Sequence, residues 1–302
     1  MNGLLQRIGG RATIWVPYLW LAVLFLTPFA LVAKVSFSEP AIAIPPYAPT
    51  FDISAGWDAL VAALGLLSLE NYVFITSDSL YIKSYLSSLW IAAVATFLTA
   101  LIGYPLAYGM ARAPTGLRPI LVMLTILPFW TSFLIRVYAW IGILKKEGLL
   151  NQFLLWLGVI SEPLTILNTN VAVYIGIVYS YLPFMVLPIY ASLERQDHSL
   201  LEAAADLGSL PLRAFWQITF PLSLPGLLAG SMLVFIPAVG EFVIPELLGG
   251  NSTLMIGKTI WNEFFQNRDW PVASAVAIVL LMVLIIPIVL FQRQQARNRE
   301  AM

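Results

Sequence analysis

Two charges interrupt long apolar runs and mark the first places to look for chemistry. Arg136 is the only charge between Arg118 and Lys145, and Glu241 closes a run of 27 uncharged residues that starts after Arg213. An ionisable group in such a run is costly in an apolar medium and is a functional candidate by default. A carboxylate and a guanidinium placed this way either neutralise each other or serve a ligand. Other chemistry is scarce. The chain has no Cys and one His, His198. Disulfides, thiol catalysis and metal sites built from several His or Cys are therefore excluded, and no catalytic residue, metal or cofactor is expected. Gly257-Lys258-Thr259 has the ending of a phosphate-binding loop, but Ser252 stands where its first Gly is required. His198 lies in a polar connection, which argues against a Ser/His intramembrane protease.

The elements that must position Arg136 and Glu241 follow from composition. Of 302 residues, 60% are apolar and 11% charged, against roughly 25% charged in a soluble domain. A soluble globule would expose too much apolar surface, so lipid must solvate the chain. The formal net charge is zero, which disfavours nucleic acid as a partner. Charges bracket six apolar stretches, at about 13–35, 84–111, 119–144, 169–193, 222–247 and 271–292. Each is long enough to cross the hydrocarbon, and each must be helical because unpaired backbone is too costly there. The reading is an all-α integral membrane protein, one domain over 1–302 with six transmembrane helices. Ala59–Leu69 is too short to span and fits a short helix inside the 36–83 loop. The first apolar run is too long for a signal peptide ahead of Ala41-Ile42-Ala43, so an uncleaved helix is expected.

Six spans put both termini on one side. That side holds nine basic residues, Arg112, Arg118, Arg195 and Arg213 among them, and the other side holds six. Both termini are therefore expected in the cytoplasm. The inner side has nine bases against five acids and the outer side six bases against ten acids. The neutral total thus conceals a molecule that is acidic outside.

The long inner connection, 194–221, carries the clearest pattern. Ser199 followed by Glu202 reads as a capping box that starts a helix through Ala203, Ala204 and Ala205. Gly208 suits the left-handed residue that ends it, and Pro211 suits the first turn of a second helix. Leu212, Phe215 and Trp216 would then form an exposed apolar plug on a docking knob.

The spacing of Glu202-Ala203-Ala204, Gly208, Ile218 and Pro221 resembles the EAA loop of ABC importer permeases; Phe220 replaces the commoner Leu. In that family the loop forms a coupling helix that sits in a groove of the ATPase subunit. Pro211 and Phe215 belong to the same coupling segment. The likeness extends over most of the chain. Leu69-Glu70-Asn71-Tyr72, Leu127-Pro128-Phe129-Trp130-Thr131-Ser132, Arg136-Val137-Tyr138-Ala139-Trp140 and the run from Gly240 to Gly250 resemble spermidine/putrescine permeases, the putrescine type most closely.

The resemblance implies a type I ABC importer permease fold in a bacterial inner membrane. It also implies an ATPase dimer, a second related permease subunit and a periplasmic polyamine-binding protein as partners, beside the lipid bilayer. ATP hydrolysis would belong to the ATPase, so this chain would not itself be an enzyme. For a diamine substrate, carboxylates replace the water lost by each ammonium and aromatic faces add cation–π attraction. Glu241, Glu246, Trp130, Tyr138 and Trp140 supply those types, with Arg136 as a structural or gating partner. Pro237, Gly240 and Pro245 predict irregular backbone around Glu241. Tyr138 and Trp140 are also the types that anchor a helix at the membrane interface. Gly226 and Gly230 predict close helix packing. An importer of iron or another small solute fits the same loop. A stand-alone secondary transporter would instead show paired broken helices from an internal repeat, which is not apparent, and would need no coupling loop.

Overall fold

The computed structural model describes residues 2–50, 57–250 and 253–300 and is almost wholly helical. The Ser252 position and residues 51–56 of the 36–83 loop lie outside the described residues. Five helices are long and apolar enough to cross a membrane. They lie in α1 (Asn2–Ser36), α4 (Ser79–Arg112), α8 (Asn170–Glu194), the run that ends in α11 (Phe220–Val239), and α14 (Trp270–Glu300). The stretch expected as one continuous helix over 119–144 is instead a bent pair, which makes a sixth crossing if its two parts are counted as one span. There α5 (Arg118–Ile126) leads into a 3-10 turn at Leu127–Trp130, and the segment Phe133–Trp156, which begins with α6 (Phe133–Leu144), leaves at 89°. Pro128 supplies no N–H to the ladder, and Thr131 turns extended while its hydroxyl donates to Pro128 O at 2.8 Å.

The chain divides into two compact units. One comprises residues up to 82 together with 260–282. In it, short helices α2 (Trp57–Gly65) and α3 (Glu70–Ser77) follow a two-residue hairpin that pairs Glu39–Pro40 with Tyr47–Ala48. Asn71 Nδ2 donates to Ser36 O at 2.9 Å and Ser38 O at 2.8 Å, tying α3 to the end of α1. A buried Glu263 accepts from Tyr81 at 3.0 Å and from Asn267 at 2.8 Å. Asp269 Oδ1 accepts from Val272 N–H at 3.0 Å, capping the start of α14 ahead of Pro271.

The other unit, 83–259 with the chain after 282, holds the elements that carry Arg136 and Glu241. Its centre is the pair α8 and α11, packed along their length. Glycines make this contact possible: a Cβ on Gly226 would lie 2.5 Å from Pro188 O, and one on Gly230 would lie 3.0 Å from Met185 O. Met185, Val186, Ile189 and Val234 fill the seam with Ala107 and Met110 of α4. The expected run 222–247 is interrupted. α11 stops at Val239, and α12 (Val243–Leu248) begins after Gly240 and packs on α6 and α8. Helix α7 (Leu149–Trp156) follows α6, and α13 (Ile256–Trp261) follows α12.

Candidate functional site

The connection after α8 folds as a knob. Helix α9 (Ser199–Asp206) starts without the expected capping box, because Ser199 already occupies the first helical position. Asp197 caps instead, its Oδ1 accepting from Ser199 N–H at 2.9 Å, which holds the Asp197 carboxyl below its usual range. The far end matches expectation. Gly208 has φ +75°, its N–H donates to Ala205 O, and Ser209 N–H donates to Ala204 O, both at 2.9 Å. These two bonds form a Schellman cap.

Pro211 opens α10 (Pro211–Ala214), and a π-helical turn at Phe215–Thr219 leads into α11. Glu202, Ala203, Gly208 and Pro211 are exposed, Ala204 and Ile218 half-buried, and Pro221 exposed at the start of α11. The apolar crown differs from the expected plug. Leu212 and Trp216 are exposed, but Phe215 turns inward, its ring 5.5 Å from Tyr108 and 5.9 Å from Tyr104. Leu207, 88% exposed, and Leu210 join the crown in its place. Leu207 and Leu210 flank the left-handed turn at Gly208, where the helical period breaks, so periodicity alone assigns neither a face.

The second locus is Glu241, 8% exposed in the break between α11 and α12. Its Oε2 accepts the Tyr181 hydroxyl at 2.5 Å. Its Oε1 accepts from Val243 N–H at 3.0 Å and Ile244 N–H at 3.4 Å. The carboxylate therefore sits at the start of α12, where free backbone donors favour negative charge. Tyr181 touches Phe184, Phe184 touches Phe129, and the Arg136 guanidinium lies 5.5 Å from the Phe129 ring. A continuous file of aromatic faces thus runs from Glu241 to Arg136.

Arg136 and Glu241 do not neutralise each other: the ion pairs among the described residues are Arg118 with Glu194 and Lys258 with Glu246. Arg136 Nε is buried without a hydrogen-bond partner among the described residues. The remaining candidates are dispersed. Glu246 pairs with Lys258 at 3.1 Å, and Trp140 packs edge-on against Tyr179. Trp130 is 76% and Tyr138 59% exposed. Tyr181 and Phe184 were missed in the sequence. Their signal was weak: a buried Tyr hydroxyl usually finds a partner, but sequence alone does not say which group supplies it. Gly257 and Lys258 have structural roles: Gly257 abuts Gly240 O, and Lys258 also donates to Gly250 O at 3.0 Å.

Residues 101–299 match the family described as binding-protein-dependent transport system inner membrane component. The chain belongs to that family. It is thus a transport component of an inner membrane and not an enzyme. The spermidine/putrescine transport system permease protein PotB of Escherichia coli (strain K12) is 45% identical over 228 residues, covering 76% of this chain and 82% of that one. PotB of Haemophilus influenzae (strain ATCC 51907 / DSM 11121 / KW20 / Rd) is 38% identical over 293 residues, covering 97% and 95%. The family membership and these relatives agree with the spermidine/putrescine permease likeness; the finer putrescine-type likeness goes beyond them.

Among solved structures, a bacterial ABC transporter involved in the import of the acidic polysaccharide alginate aligns with a TM-score of 0.71, 15% identity and 98% coverage of both chains. The MetNI methionine ABC transporter aligns with a TM-score of 0.54 and 17% identity, covering 70% of this chain and 93% of that one. At such identities the likeness establishes the fold, which is that of type I ABC importer permeases.

Proposed function

We propose that this chain forms half of the translocation pathway of an ATP-driven importer for putrescine or spermidine, with the putrescine type as the finer reading. The observation that carries it is the buried Glu241 carboxylate, held by Tyr181 at the end of a file of aromatic faces. An ammonium leaving water needs a fixed negative charge and π faces, and this arrangement offers both. The 38–45% identity to spermidine/putrescine permeases supports the same solute class. An anion is less well served, because the buried Glu241 carboxylate would repel it, and iron is less well served because among the described residues the groups bonded to Glu241 are the Tyr181 hydroxyl and two backbone N–H groups.

The partners follow from this reading: an ATPase dimer, a second related permease and a periplasmic polyamine-binding protein. Both termini face the cytoplasm, so the knob from Glu202 to Pro221 meets the ATPase. ATP-driven closure of that dimer would pull on the knob and select the outward-open state. Exposed Leu207, Leu210 and Leu212 are the apolar surface it would bury. The test is to purify the tagged chain from membranes, identify its companions, and assay uptake of labelled putrescine and spermidine. A co-purifying ATPase and polyamine uptake are expected. A chain that comes down alone and still transports overturns the importer reading, and an importer indifferent to polyamines overturns the solute.

A further inference from the structure

Behind the knob lies a cavity of about 350 Å³ between the end of α4 and the α9–α10 elbow. Arg112, the last residue of α4, lines it together with Tyr108, Ala205, Ser209, Pro211 and Thr219. Among the described residues no carboxylate lines it. The Arg112 guanidinium rests 5.3 Å from the Tyr108 ring and has no acidic partner among the described residues. Thr219 is 1% exposed, and its hydroxyl has no hydrogen-bond partner among the described residues. A helical Thr ordinarily satisfies its hydroxyl on a carbonyl one turn back; this one ends a π-helical turn and does not. A buried hydroxyl left unpaired is costly and calls for an explanation.

A small anion rich in acceptor oxygens answers all of these features. We infer that the cavity binds a phosphate group, with Arg112 as its counter-charge and the Ser209 and Thr219 hydroxyls as donors. The guanidinium fork and two hydroxyls match the oxygens of a phosphate, whereas an ammonium-bearing solute would meet only repulsion. Because Arg112 ends a membrane-spanning helix, the mouth lies at headgroup depth, and the phosphate could come from an anionic lipid or from a small soluble ester. Either would brace the knob against α4. The cytoplasmic placement of the site rests on the orientation proposed above; the site's chemistry does not.

The test uses the purified transporter complex in nanodiscs and reads hydrogen–deuterium exchange across residues 205–219. One arm compares phosphatidylcholine discs with discs containing phosphatidylglycerol. The other adds glycerol 3-phosphate to phosphatidylcholine discs. Slower exchange, roughly tenfold at ten times Kd, is expected in at least one arm, and the arm that responds names the source. Arg112→Gln, an exposed position, and Thr219→Val should each abolish the protection, and Thr219→Ser should restore it. No protection in either arm, or protection that persists in Arg112→Gln or Thr219→Val, overturns the inference. Exchange does not depend on which solute is carried, so that failure would leave the polyamine reading intact.

Discussion

Tyr181 and Glu241 share one hydrogen bond of 2.5 Å, and the other oxygen of the same carboxylate holds the backbone N–H groups of Val243 and Ile244. One buried group therefore joins α8 to the start of α12. The same group is the best candidate to receive an ammonium, so its structural and transport roles must be separated by experiment.

Glu241→Gln separates them. The amide oxygen can still accept from Val243, but the charge is gone. Expression and complex assembly should be unchanged. Polyamine uptake should fall about tenfold or more, the equivalent of losing a charged hydrogen bond of ~1.5–3 kcal/mol. Normal uptake in this variant removes Glu241 from the pathway. Tyr181→Phe should weaken uptake less, because the Glu241 carboxylate keeps its charge and its bonds to the Val243 and Ile244 N–H groups.

Gly208→Ala tests the knob. A Cβ there meets nothing within 4 Å, so the cost is the backbone alone at φ +75°. An alanine held in that conformation costs about 1–2 kcal/mol. The α9–α10 elbow should loosen, and ATP hydrolysis measured in proteoliposomes should become poorly coupled to uptake. Gly208→Asn should be milder, since Asn tolerates the left-handed region. Equal coupling in the alanine variant and the parent would exclude the elbow from transmission.

Gly226→Val tests the seam between α8 and α11. The new side chain would overlap Pro188 O and Ser192, so overpacking of roughly 1–3 kcal/mol or more is expected. The solubilised protein should melt at lower temperature and accumulate poorly. Gly109→Ala, where a Cβ meets nothing within 4 Å in the interior of α4, should be neutral or slightly stabilising.

Asp269 predicts a pH dependence. Burial pushes its carboxyl above the usual range, opposed by the Val272 N–H. A raised folded-state value favours the protonated form in the native protein. The native contribution is therefore full below the ordinary carboxylate range and is lost as pH rises through the raised value. Asp269→Asn keeps a capping acceptor and cannot ionise. Its melting temperature should match the parent near pH 3.5 and exceed it near pH 7, a window set by the ordinary Asp value of about 3.9. A constant difference across that window would show that Asp269 does not titrate in it.

Periodicity and composition sufficed for the helical membrane fold, because a run without charges that is long enough to cross lipid has few alternatives. The Gly208 turn and the Gly226 and Gly230 contacts were legible for a similar reason: each depends on one residue's missing Cβ. Capping was less so. Asp197 and Ser199 can both cap a helix, and only the backbone path assigned the role to Asp197. The broken span at Thr131 was also hidden, since its two halves have one uninterrupted apolar composition.

The site needed three dimensions most of all. Sequence order marked Glu241 and Arg136 as costly charges but could not say whether they meet. They do not pair; Phe129, Phe184 and Tyr181 stand between them, drawn from the α5–α6 break and from α8. Local sequence determines which stretches become helices, because backbone hydrogen bonds and hydrophobic periods are local. Which side chains share a space depends on how those helices pack, and only the tertiary structure decided that Glu241 answers to Tyr181 rather than to Arg136.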